Sequence, residues 1–139
     1  MSTEENLFIE MPSPSGTRTA ILEDNGTCAW LVLAESPDGS ILGDCFVYNR
    51  IPPVEDSEVR SYAPGPPPVS KSFASPLAMV AEPSAHTIQL CWQSAGDYVT
   101  VEIDGVSWAR LYDGEPRGLS RALSRPGPYG SPWPEDDQE

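Results

Sequence analysis

The side chains able to do chemistry are few and far apart in this chain. One histidine, His86, and three cysteines, Cys28, Cys45 and Cys91, are its only imidazole and thiol groups, and its single lysine is Lys71. A Ser-His-Asp or Cys-His pair would have to use His86, and no local signature surrounds it. His86 therefore reads as a turn or strand residue after Pro83-Ser84-Ala85. The cysteines sit among strand-like apolar residues without CxxC or CxxH spacing, so they read as buried free thiols; no metal site and no cofactor is expected. Glycine-rich phosphate loops of the GxGxxG or GxxxxGK[ST] type are absent. Among the carboxylates, Asp44, between Gly43 and Cys45, is an example whose strand position suggests an inward-facing acid with a raised pKa. Linear spacing does not identify a second acid to work with it.

Charge narrows the partners. The chain has 139 residues, 21 acidic and 8 basic, for a net charge of −13. The acidic excess runs through the whole length, −8 over residues 1–70 and −5 over 71–139, and opposes binding to phosphate backbones or anionic lipid. A basic protein partner would be attracted. The start MSTEENLF lacks the basic and apolar regions of a signal peptide, and no apolar run is long enough to cross a bilayer, so a cytoplasmic, soluble protein is expected.

These groups must be positioned by strands. Leu, Ile, Val and Phe together number 28, few for a folded chain of this charge, yet four Trp, five Tyr and clear local alternation favour a folded single domain over 1–139. Asn25-Gly26 predicts a two-residue hairpin in which Asp24 pairs with Thr27, setting Leu22 opposite Ala29, Ala20 opposite Leu31 and Ile21 opposite Trp30. Ser36-Pro37-Asp38-Gly39 turns the chain into a further strand over 40–49. The alternation at 99–103 and Asp104-Gly105 predict a second hairpin, with Ile103 opposite Val106, Val101 opposite Trp108 and Val99 opposite Arg110, so that Arg110 lies at a core rim. Strands over 7–11, 77–82 and 86–93 bring the total to about eight. Two meanders, 7–49 and 77–113, then predict an all-β fold, an antiparallel sandwich or partly open barrel.

Three segments fall outside that pattern. Residues 50–76 hold seven of the 16 prolines together with Glu55, Asp56, Glu58 and Tyr62, and read either as a binding loop or as a tolerated insertion. Residues 117–125 permit one or two helical turns carrying Arg117, Arg121 and Arg125 as a stripe. The Pro- and Gly-rich tail, 126–139, carries Tyr129 and Trp133, which either pin it down or stand exposed as anchors.

These features lead to a non-enzymatic protein-binding module, a cytosolic inhibitor or immunity-type protein that occludes a basic partner. Its candidate contacts are Glu55, Asp56, Glu58, Tyr62, Arg117, Arg121, Arg125, Tyr129 and Trp133. The alternative is a small-molecule-binding barrel or sandwich in which Trp30, Trp92 and Trp108 line a cavity with Arg110 at its mouth.

Overall fold

In the computed structural model, which describes residues 7–35, 39–84 and 87–134, nine strands form two sheets. The first contains β1 (Leu7–Pro12), β2 (Arg18–Asp24), β3 (Cys28–Glu35) and β4 (Ile41–Asn49), antiparallel and in chain order. The second contains β5 (Ile88–Trp92), β6 (Tyr98–Ile103), β7 (Val106–Tyr112), β8 (Leu119–Ser120) and β9 (Ser131–Pro132), antiparallel except for the final β8–β9 pair. A 3-10 helix, Asp56–Tyr62, lies between the sheets in sequence. The all-β expectation therefore holds at the level of two sheets of four and five strands. No helix among the described residues is long and apolar enough to cross a membrane.

Period-two alternation builds the shared core. Ala20, Leu22, Leu31, Leu33, Cys45 and Val47 from the first sheet pack against Ile88, Leu90, Val99, Val101, Ile103, Ala109 and Leu111 from the second. Burial of these side chains, at about 25 cal/mol per Å² of apolar surface, is the main force holding the sheets together.

The two hairpins differ from each other in an instructive way. At Asp104-Gly105 both central residues take positive φ, 53° and 81°, and Ile103 pairs with Val106 as the sequence predicts. At Asn25-Gly26 only the glycine does, φ 94°. The Asp24 carboxylate accepts the Gly26 N–H (2.8 Å), and the Asn25 amide oxygen accepts the N–H groups of Thr27 and Cys28 (2.9 and 3.1 Å). These side-chain bonds lengthen the loop, so Asp24 pairs with Ala29, Leu22 with Leu31, Ala20 with Leu33 and Ile21 with Val32. The predicted register is wrong by two residues, an even slip that leaves every side chain on its expected face.

Further along the second hairpin the prediction fails by one. A bulge opposite Val101/Glu102 leaves Trp108 unpaired, so Val101 faces Ala109 and Val99 faces Leu111. Arg110 consequently lies opposite Thr100 on the other face and donates from Nε to the Thr100 hydroxyl (2.9 Å).

Two predicted elements do not form. Residues 77–82 make no strand: Met79 makes an isolated bridge with Asn49, flanked by bonds from Asn49 N–H to Ala78 O (2.8 Å) and from Val80 N–H to Asn49 O (2.7 Å). Residues 117–125 are not helical. Leu119 and Ser120 find ladder partners on β7 instead, because Gly118 allows the backbone to lie against the Arg110 carbonyl and the Cys45 side chain. A nine-residue helix has too few internal hydrogen bonds to compete with those tertiary ones.

The proline-rich segment is a covering strap. Pro66, Pro67 and Pro68 have no N–H groups, but their carbonyls accept bonds from the Cys28 thiol (3.7 Å), the Trp30 indole (3.0 Å) and the Tyr129 hydroxyl (2.9 Å). Fully buried Asn49 binds both backbone groups of Val69, accepting its N–H at 2.9 Å and donating to its carbonyl at 3.3 Å. Beneath the strap a second core collects Cys28, Phe46, Val69, Ala78, Ala122, Leu123 and Tyr129 on the outer side of the first sheet.

Candidate interaction surface

The acidic segment of the strap is fastened by local contacts and faces solvent. Glu55 and Glu58 form a capping box at the start of the 3-10 helix, and Lys71 pairs with the Glu55 carboxylate. The Ser72 hydroxyl donates to Asp56, and this bond, with help from other polar neighbours and Arg125, holds the Asp56 carboxyl below the usual range; Glu55 in turn raises the Lys71 pKa. All three acids are exposed and Tyr62 is half-buried. These four candidate contacts therefore lie on one short segment, the 3-10 helix and the Glu55 that caps it.

The three arginines do not form a stripe. Arg117 pairs with Asp44 (3.3 Å) where a bridge links the two sheets. Arg121 donates to the Ser107 carbonyl and lies 4.7 Å over the Trp133 ring, and Arg125 lies 4.9 Å over Phe73. Without a helix, spacings of four residues no longer align their side chains.

Tyr129 and Trp133 are buried anchors for the tail, 4% and 6% exposed. Tyr129 packs in an aromatic group with Trp30, Phe46 and Phe73, with centroids 5.5–5.9 Å apart. Trp133 lies between Arg110 and Arg121, and its indole N–H is buried with no hydrogen-bond partner. Neither ring is exposed to act as an interface anchor; the tail uses both to fasten itself to the body. His86 and the tail residues beyond 134 lie outside the described residues.

The remaining tryptophans are tied down separately. The Trp30 indole donates to Pro67 O, that of Trp92 to Met11 O (2.9 Å) and that of Trp108 to Val47 O (2.8 Å). Two concavities are lined by other residues. A cleft of about 570 Å³ has Asp97, Tyr112, Asp113, Glu115 and Arg117 in its wall, and a groove of about 510 Å³ runs along Leu77, Arg121, Pro132 and Trp133. Arg110 stands over the Tyr98 ring, 4.4 Å away, beside the Tyr98–Tyr112 pair.

Two thiols and one phenol in the interior are pushed toward their neutral forms. Burial, reinforced by nearby Asp24, raises the Cys28 thiol to about 12, and burial raises Cys45 to about 12. Burial also raises Tyr48, whose hydroxyl donates to Asp24 (2.5 Å). The same carboxylate, fully buried, pairs with Arg50 (2.9 Å). This Asp24–Tyr48–Arg50 group was not legible as a unit; its only local signal is the acid before Asn25-Gly26. Asp44 does have a raised pKa, from desolvation that Arg117 partly offsets, but it does not face inward: it stands on the outer face of the first sheet with its side chain 37% exposed.

No protein-family model matches the chain, and comparison with curated proteins and with solved structures yields no match.

Proposed function

We propose that this chain is a non-catalytic protein-binding module that occludes a basic protein partner, acting in the cytoplasm as an inhibitor or immunity-type protein. The observation that carries the reading is the way charge is distributed. Arg18, Arg50, Lys71 and Arg117 are each paired with a carboxylate of the same chain, at Asp113, Asp24, Glu55 and Asp44. Arg110, Arg121 and Arg125 lie over aromatic rings. Seven of the eight cations thus join parts of the chain, with exposed Arg60 on the 3-10 helix the exception, while Glu10, Glu23, Asp56, Glu58, Glu82, Asp97, Asp104 and Glu115 stand exposed outside those ion pairs. Such a field steers a cationic partner and accelerates its association.

Two further features support occlusion over catalysis. The most shifted groups, Cys28, Cys45 and Tyr48, are held in unreactive neutral forms inside the cores. The two sheets, read as an antiparallel sandwich strapped on one side, form a rigid scaffold for display. Affinity capture from the source cell tests the proposal. A partner with a pI above neutrality, recovered at low salt and released by raising it, is the expected result. An acidic partner, or capture insensitive to salt, would reject it.

A further inference from the structure

The two faces of the first sheet are finished differently. Its inner face lies in the shared core, so the alternate residues point outward. Across the outer face the register aligns Phe8, Glu23, Trp30 and Phe46 in one row and Glu10, Ile21, Val32 and Asp44 in the next. The strap roofs the β3–β4 end, covering Trp30 and Phe46. It does not roof the β1–β2 end, where Phe8 is 61% exposed and Ile21, with Val32 beside it on β3, is partly buried. Ile41, opposite Ala34 at the far corner, is 62% exposed.

At the open end, apolar and acidic residues form a checkerboard. Phe8 faces Glu23 and Glu10 faces Ile21, so an apolar diagonal crosses an acidic one within a few ångströms. Glu10 and Glu23 are exposed, and among the described residues neither enters an ion pair. Arg18, nearest along β2, turns to the other side and pairs with Asp113. Apolar surface left open beside unneutralised carboxylates is the composition expected of an interface, with a desolvated centre and a charged surround.

We infer that this open end of the outer face, Phe8, Ile21 and Val32 bordered by Glu10 and Glu23, is the surface that docks the basic partner. The partner presents an apolar side chain flanked by lysines or arginines. The apolar diagonal gives the contact its strength, and the acidic diagonal selects a cationic surface and sets the association rate. This assignment rests on the basic-partner reading above and adds a location to it.

The test is an amide chemical-shift titration of the full chain with two peptides of equal length, one alternating Lys and Leu and one alternating Glu and Leu. The Lys/Leu peptide is expected to shift residues 8–10, 21–23 and 32. Phe8→Ser, at an exposed site that leaves the fold intact by circular dichroism, is expected to weaken that binding at least about tenfold. The double variant Glu10→Gln/Glu23→Gln is expected to flatten its salt dependence. Binding that maps instead to residues 55–62 or to the cleft at Asp97 and Asp113, and is indifferent to Phe8→Ser, would overturn the assignment while leaving the basic-partner reading in place. No preference for the Lys/Leu peptide at any site would overturn both.

Discussion

Replacing Asp24 with alanine is expected to cost more stability than any other single carboxylate removal. The side chain is fully buried and accepts three bonds, from the Tyr48 hydroxyl, the Arg50 Nε and the Gly26 N–H. Asp24→Ala leaves the Tyr48 hydroxyl buried without its acceptor, at about 1–3 kcal/mol, and takes the carboxylate from a mostly buried guanidinium, where breaking such a pair costs about 3–5 kcal/mol. The two losses overlap, so a total of about 4 kcal/mol is expected, a large part of the roughly 5–15 kcal/mol that holds a domain folded. For a chain of this size that corresponds to a fall in Tm of about 10–20 °C. Urea unfolding at pH 7, followed by circular dichroism and tryptophan fluorescence, measures the loss. Adding Tyr48→Phe to each background measures the coupling, expected at about 1–3 kcal/mol. A loss below about 1 kcal/mol, or no coupling, would refute the idea that this buried group fastens the β2–β3 loop to β4.

Other perturbations test neighbouring parts of the structure. The raised thiols of Cys28 and Cys45 keep their protons to higher pH in the folded state than in the unfolded one, so their contribution to stability is complete below about pH 9 and declines as pH rises toward 12. The slope is about 1.4 kcal/mol per pH unit for each thiol; urea midpoints between pH 8.5 and 10.5 should fall accordingly, less steeply in Cys45→Ala, and a flat profile would contradict the sealed interior. Gly43→Ala would bring a methyl group to 2.6 Å from the Glu115 carbonyl, pushing the 115–116 segment off β4; a loss of about 1–3 kcal/mol and weaker protection of the Asp44 amide are expected. Tyr129→Phe removes the bond to Pro68 O and should cost about 1 kcal/mol, with faster proteolysis in the strap; an unchanged cleavage rate would mean that the strap is held by other contacts.

How far the sequence reveals the fold depends on how local each cause is. The Asp104-Gly105 hairpin was legible because two adjacent residues set its turn. Asn25-Gly26 has the same local signal, but the Asp24 and Asn25 side chains take the loop amides and move the register. The bulge at Trp108 has no counterpart in alternation, and one extra residue was enough to set Ala109 and Leu111 opposite Val101 and Val99 in the core, with Trp108 only partly buried against it and Arg110 on the other face. The 117–125 segment showed helical spacing, while the partners that make it a strand lie on β7 and beside Cys45. Among the candidate contacts, the acids at 55–58 are exposed as their solvation dictates. Tyr129 and Trp133 are buried because they close the strap and tail over surfaces that only the folded sheets create. Phe8 falls within the strand the sequence predicts over 7–11 but is not among the candidate contacts, since one exposed ring is informative only once its neighbours across the strands are known.

The claim on which the rest depends is that outward carboxylates recruit a cationic protein surface. The decisive measurement is the association rate with the captured partner, followed by stopped flow from low to physiological ionic strength. The rate is expected to fall at least about tenfold as salt screens the attraction, with a smaller fall for Glu10→Gln/Glu23→Gln. A rate indifferent to salt, and equal for the wild type and that variant, would contradict it.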